Sequence, residues 1–283
     1  MEIFFVRHAE TEMNLKKVQY DNFESNEYYP ITERGIEMAT ETGKYLGKKY
    51  GQFDVIYSSP RHRCIQTAES IKEGIKYNGK IIESDLLLEA NAGKLNLMNE
   101  SEIIQFLSEN EDLTYLKEKI NTEQNEFKKI NLNREYMKKS NIYTEQTEQS
   151  VIENNYRKFL NSLTKLQHKR ILVVCHSGTI SLMTKIICNI SFSSNIGIYP
   201  REYSVLSKEH KEMYFNGNCT IMALLFENNI FNLVIAPNNL HLEHMHNKIQ
   251  QNTSVSNMPK RLHRYKYKKY KSKYLNLKNI NED

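Results

Sequence analysis

Two short apolar runs, each closed by a histidine, constrain this chain more than any other feature. Ile3-Phe4-Phe5-Val6 leads into Arg7-His8, and Ile171-Leu172-Val173-Val174-Cys175 leads into His176. Four or five consecutive apolar residues bounded by polar ones predict strands buried on both faces, as in a parallel sheet. Such strands need helices on both sides, and ligands bind at their carboxyl ends. Two imidazoles are therefore expected at one sheet edge. Taken alone, a strand-end histidine reads as a core residue with satisfied hydrogen bonds, so the functional reading depends on the rest of the chain.

Strands and helices alternate through that remainder. Thr32 is placed to cap a helix with Glu33 in its first turn, and Ile36, Ala39, Gly43, Leu46 and Tyr50 follow at helical spacing. Asp54-Val55-Ile56-Tyr57 predicts a strand, which Ser58-Ser59-Pro60 ends. The next helix carries a stripe of Ile65, Ala68, Ile71 and Ile75. Ile81-Ile82 predicts another strand, followed by Leu86-Leu87-Leu88-Glu89. Residues 96–150 change character: Glu, Asn, Lys and Gln dominate, and periodicity is sparse (Ile103, Phe106, Leu107). They read as surface helices forming a cap, or as a partly mobile insertion. Helices are expected over 151–166 and over 178–190, the latter with Ile180, Met183, Ile187 and Ile190 on one face. A hairpin is expected from 219–226 and 230–235 across Asn228-Asn229, residue types that tolerate left-handed angles. The pattern predicts an α/β fold, a three-layer α/β/α sandwich with a mostly parallel central sheet.

Charge divides the chain in two. Residues 245–283 hold ten Lys/Arg against two acids, a net +8, while the whole chain is +5, so residues 1–244 are −3. A basic tail thus follows a mildly acidic body. Within it Tyr265, Tyr267, Tyr270 and Tyr274 alternate with basic residues, and Tyr267, Tyr270, Tyr274 and Leu277 share one helical face. The tail reads first as solvated and disordered. The same pattern suits weak binding to an anionic membrane or to nucleic acid. Cys64, Cys175, Cys188 and Cys219 form no C-x-x-C pair, which favours a reduced, cytoplasmic setting. The first apolar run is too short for a signal peptide, and no stretch approaches the roughly 18 apolar residues of a transmembrane segment.

Three segments carry phosphate-binding chemistry. In Arg7-His8-Ala9-Glu10-Thr11-Glu12-Met13-Asn14, a neutral imidazole is a competent nucleophile towards phosphorus. The adjacent Arg7 guanidinium matches phosphate oxygens in pairs, and Asn14 can donate an amide N–H. In the segment from Ser58 to Ala68, Arg63 falls on the first turn of a helix, where anions are already favoured. In Cys175-His176-Ser177-Gly178-Thr179, Gly178 allows a tight strand-to-helix turn. Arg61 and His62 are expected in solvent. His241, His244 and His246 lack a matching partner cluster, so no metal is expected there.

These segments resemble the histidine phosphatase superfamily, with its phosphoglycerate-mutase-like fold. The family's R-H-G-E-T-x-x-N appears as Arg7-His8-Ala9-Glu10-Thr11 followed by Asn14, with Ala9 in place of glycine. If that glycine needs a positive φ, the substitution costs about 1 kcal/mol. L-T-x-x-G appears as Ile31-Thr32-Glu33-Arg34-Gly35, and S-S-P-x-x-R-x-x-Q-T-A is complete from Ser58 to Ala68. L-x-E-x-x-x-G resembles the stretch from Leu87 to Gly93. Asn218-Cys219 and Asn238-Asn239-Leu240-His241-Leu242 are similar to the family's N-C and N-D-x-x-H-L. The family's G-E-S is departed from at Glu148-Gln149-Ser150, with Glu153 and Arg157 retained.

The resemblance covers 1–244 and implies a histidine phosphatase domain with an inserted cap at about 96–150. It implies that His8 accepts the phosphoryl group, that Glu89 is the general acid/base, and that Arg7, Asn14, Arg63 and His176 bind the phosphate. Glu83 and Asp85 are competing carboxylates near Glu89. The substrate implied is a small phosphorylated molecule, and no cofactor is implied. Two alternatives stand beside hydrolysis of a phosphomonoester. One is phosphate transfer of the phosphoglycerate mutase type, against which stands the lack of a paired-Arg stretch between Gly93 and Ser150. The other is a non-catalytic phosphate- or phosphoprotein-binding module, which would not need Glu89.

Overall fold

The computed structural model describes residues 1–16, 30–145, 147, 149–187, 217–243 and 245. The basic tail, Cys188, His244 and His246 lie outside these residues. Elements occur in the order β1 (Glu2–Arg7), α1 (Glu12–Lys16), α2 (Glu33–Tyr50), β2 (Val55–Ser58), α3 (His62–Ile75) and β3 (Ile81–Glu83). Then come α4 (Glu100–Ser108), α5 (Glu111–Thr122), α6 (Glu126–Thr144), α7 (Gln149–Leu163), β4 (Arg170–Cys175), α8 (Ser177–Ile187), β5 (Ile221–Glu227) and β6 (Ile230–Asn238). The strands form one sheet in the order β3-β2-β4-β1-β5-β6. β3, β2, β4 and β1 run parallel, and β5 and β6 close one side antiparallel. This is the expected mostly parallel sheet with an antiparallel edge.

Alternation along β1 builds the layers. Phe4 and Val6 pack on one face with Met38, Ala39 and Leu46 of α2 and Cys64, Ala68 and Ile71 of α3. Ile3 and Phe5 pack on the other with Tyr156, Phe159 and Leu163 of α7 and Ile180 and Met183 of α8. The four central residues of β1 are at most 1% exposed, which is why their run is apolar on both faces.

Helix α2 begins as expected: the Thr32 side chain accepts from the Gly35 N–H at 2.9 Å. Ile36 departs from the expected stripe. It is 48% exposed, while Ala39, Gly43 and Leu46 of that stripe are buried and Met38 and Thr42 join them. α2 meets α3 through Gly43 and Gly74: a Cβ at Gly74 would sit 2.6 Å from the Thr40 carbonyl oxygen. The hairpin forms at Asn228 (φ 51°) and Asn229 (φ 61°), two consecutive left-handed residues, as a type I′ turn requires. β6 extends beyond the expected 235 to Asn238 and includes Pro237, which an edge strand tolerates.

The surface helices expected in 96–150 are α4, α5 and α6. Leu113 and Leu116 of α5 are buried, and Phe106 stacks on Tyr143 with centroids 5.1 Å apart. Asn99 caps α4 in a capping box with Glu102. The Asn91 N–H donates to the Thr147 hydroxyl at 3.0 Å, and Lys94 pairs with Glu145 at 2.8 Å, joining these helices to the chain beyond β3. No helix among the described residues is long and apolar enough to cross a membrane.

Candidate active site

Strand register decides which side chains meet. β1 and β4 pair in parallel with Arg7 opposite Cys175, so the next residues, His8 and His176, leave neighbouring strands at one level. The His8 N–H still donates to the Cys175 carbonyl at 2.8 Å. β2 flanks β4 on its other side with Ser58 opposite Val174, and the Ser59 N–H donates to the Val174 carbonyl at 2.9 Å. Ser59, His176 and His8 thus emerge side by side at the carboxyl edge, where α/β sheets bind ligands. The imidazole centroids of His8 and His176 are 5.6 Å apart, with the rings inclined at 63°.

Hydrogen bonds assign the tautomer of each ring. His8 Nδ1 lies 2.9 Å from the Ala9 carbonyl oxygen, which can only accept. Nδ1 therefore carries the proton, and the lone pair sits on Nε2. Arg63 Nη2 donates to His176 Nδ1 at 3.0 Å, so His176 Nε2 carries its proton and donates to Ser59 Oγ at 2.8 Å. Burial pushes the pKa of His8 well below the usual histidine value, and the positive charges of Arg63 and Arg7 add to the effect. His176 is lowered by burial, then by Arg63, with smaller contributions from His8, Arg61 and Arg7. Both rings are neutral at pH 7.

The loop holding His8 is fixed from three directions. The Ala9 N–H donates to Thr67 Oγ1 at 2.9 Å, and Thr67 donates in turn to the Arg63 carbonyl at 2.7 Å. Glu10 accepts from Thr32 Oγ1 at 3.1 Å and pairs with Arg34 at 3.0 Å. Asn218 Nδ2 donates to the His8 carbonyl at 3.1 Å and to Asn14 Oδ1 at 2.9 Å. Asn14 Oδ1 also accepts from the Thr11 N–H at 3.1 Å, so its amide nitrogen is the end suited to an anion. Ala9 is fully buried without a positive φ. The methyl that replaces the family glycine therefore carries no left-handed strain.

Glu89 enters from the loop after β3. Its Oε1 accepts from the Gly178 N–H at the start of α8, at 2.9 Å, and its Oε2 lies 3.7 Å from His176 Nδ1. The competing carboxylates Glu83 and Asp85 are exposed. His8, His176, Arg63 and Glu89 thus gather in one place. Arg7 adds charge that reaches both rings, and Asn14 is tied to the His8 backbone through Asn218.

One expectation is corrected. Arg61, expected in solvent, is 1% exposed and adds positive charge around His176. It sits at the N-terminus of α3 directly after Pro60, where the turn carries it inward. His241 stacks on Tyr45 with centroids 5.1 Å apart and bonds Thr42 Oγ1 at 2.8 Å, tying the chain after β6 to α2. Sequence reading assigned no role to Ser59, Gln66 or Thr67, although all three stood in a quoted motif. Gln66 Oε1 accepts from the Ile31 N–H at 2.9 Å, so these residues brace the loops around the rings.

The family model of the histidine phosphatase superfamily (branch 1) matches residues 3–217. A broad-specificity phosphatase of Saccharomyces cerevisiae is 36% identical over 67 residues, 24% of this chain and 27% of its own length. A 2,3-bisphosphoglycerate-dependent phosphoglycerate mutase of Methylorubrum extorquens is 31% identical over 101 residues, 35% of this chain and 46% of its own. The chain thus matches less than half the length of these curated relatives. Among solved structures, a phosphoglycerate mutase of Bacillus anthracis superposes with a TM-score of 0.59 at 16% identity, covering 86% of this chain and 95% of the other. A putative alpha-ribazole-5'-P phosphatase from Escherichia coli superposes with a TM-score of 0.57 at 18% identity, covering 84% and 98%. At such identities the superpositions speak for the fold, while the match over residues 3–217 speaks for the family: the chain belongs to the histidine phosphatase superfamily, branch 1.

Proposed function

We propose that this protein hydrolyses a small phosphomonoester through a phosphohistidine on His8. The observation that carries this reading is the tautomer of His8. Its Nδ1–H is tied to the Ala9 carbonyl, which leaves a neutral Nε2 lone pair beside His176 and Arg63. In the first step Nε2 attacks phosphorus and the bond to the leaving oxygen breaks. The Glu89 carboxyl delivers its proton to that oxygen. In the second step Glu89 takes a proton from water, water attacks phosphorus, and the P–N bond breaks. Inorganic phosphate and the neutral imidazole are regenerated. Arg7, Arg63 and the Asn14 amide stabilise charge on the transferring oxygens, and His176 orients the Arg63 guanidinium that binds them.

Residues 1–244 form the catalytic unit in this reading, with α4–α6 as the cap that selects the substrate. Phosphate transfer between positions of phosphoglycerate is the second reading, favoured by the similarity to phosphoglycerate mutases. Against it, no adjacent arginines occur between Gly93 and Ser150. Incubation with 3-phosphoglycerate separates the two: free phosphate supports hydrolysis and 2-phosphoglycerate supports transfer. Replacement of His8 by alanine should abolish turnover of an aryl phosphate. Unchanged turnover refutes the mechanism, and phosphate binding with no turnover by the wild type would identify a binding module.

A further inference from the structure

Glu89 lies on a loop, and a loop carboxylate must be held to within fractions of an ångström to exchange protons with a leaving group. The Gly178 N–H holds one oxygen of its carboxylate at 2.9 Å. A second set holds its backbone. Tyr156, fully buried on α7, places its hydroxyl 3.0 Å from the carbonyl of Leu88, the residue before Glu89. The same hydroxyl lies 2.9 Å from Oγ1 of Thr179, the residue after Gly178. A carbonyl only accepts, so Tyr156 donates to Leu88 and Thr179 donates to Tyr156. The chain of contacts closes on itself: Leu88 to Glu89, Glu89 to Gly178, Gly178 to Thr179, Thr179 through Tyr156 back to Leu88.

We propose that Tyr156 is a positioning residue for the acid/base chemistry, setting Glu89 against α8 through this ring of contacts. The inference rests on the role of Glu89 proposed above. A phenol suits the task because its hydroxyl is carried on a rigid, buried ring with few torsions to lose. Its function should surface only where proton delivery matters. Phosphates with poor leaving groups need the acid, while those with stable leaving anions do not.

The test measures kcat/KM, which reports formation of the phosphoenzyme, over aryl phosphates from dinitrophenyl to unsubstituted phenyl. In Tyr156→Phe, phenyl phosphate turnover should fall roughly tenfold or more while dinitrophenyl phosphate changes by less than about twofold, with inhibition by inorganic phosphate unaltered. Thr179→Val, which cuts the other end of the chain and leaves the phenol packed, should steepen the leaving-group dependence in the same direction and stands in if Tyr156→Phe does not fold. Glu89→Gln is the reference. A steep dependence in Glu89→Gln with a shallow one in the Tyr156 and Thr179 variants overturns the positioning role alone. A shallow dependence in Glu89→Gln refutes the acid assignment itself, and this role of Tyr156 with it. A uniform loss across all leaving groups in Tyr156→Phe marks a purely structural residue and also overturns the proposal.

Discussion

Thr67→Val is a near-isosteric change that removes one hydroxyl from beneath the site. That hydroxyl accepts from the Ala9 N–H at 2.9 Å and donates to the Arg63 carbonyl at 2.7 Å. Ala9 and Thr67 are both fully buried, so water cannot replace the lost acceptor. Leaving one buried amide unpaired costs about 1–3 kcal/mol. The Arg63 carbonyl adds little to this, because it lies within α3 and keeps its helical partner. Thr67→Ser keeps the hydroxyl and loses one methyl, worth about 0.8 kcal/mol. Urea denaturation followed by circular dichroism should therefore place Val below Ser in stability, and Val below wild type by about 1–3 kcal/mol. A domain of this size loses about 2–4 °C in Tm for each kcal/mol. Turnover of an aryl phosphate should fall too, because the Ala9 carbonyl that fixes the His8 tautomer moves with its amide. If Val proves as stable as Ser, the Ala9 N–H is not held by this hydroxyl and the account of how the His8 loop is fixed fails.

Stability should also depend on pH through the two rings. Unfolded histidines take up protons near pH 6.5, whereas burial and then Arg63 hold both folded rings below that value. Their contribution is complete above about pH 6.5 and is lost as pH falls below it, at up to about 1.4 kcal/mol per pH unit for each ring. Denaturant midpoints of wild type and His176→Asn between pH 7.5 and 5.5 test this, and the variant should show the shallower slope. Gly43→Ala should destabilise by about 1–3 kcal/mol, because its Cβ would overlap the Ile71 carbonyl oxygen where α2 crosses α3. Gly47→Ala is the control. Its Cβ would meet Ile75 Cα at 3.3 Å, and the gain of up to about 1 kcal/mol in helix propensity should bring it near neutral in a thermal melt.

Much of the candidate site was legible because its residues sit where local chemistry forces them. Arg63 lies in the first turn after a Pro-terminated strand, and Gly178 opens α8 after His176. The asparagine pair that turns the β5–β6 hairpin was equally readable, since few residues accept two successive left-handed conformations. Ile36 lies off the buried stripe because helical periodicity alone leaves the edge of such a stripe uncertain by a residue or two: Ala39, Gly43 and Leu46 are buried as expected, and Met38 rather than Ile36 completes the face. Arg61 was misread for a related reason. A charged residue after Pro60 suggests solvent, but the turn into α3 directs it inward, where its charge acts on His176.

The linear order by itself determined the strand-helix alternation, the buried parallel strands and the identity of the reactive groups, because these follow from local periodicity and side-chain chemistry. It could not determine which ring nitrogen carries a proton, which of three nearby carboxylates turns inward, or that Tyr156 spans α7, α8 and the loop before Glu89. Those depend on strand register and helix packing. A parallel pairing that sets Arg7 opposite Cys175 brings His8 and His176 together across 168 positions of chain. A slip of one residue would turn every side chain of β1 to the other face.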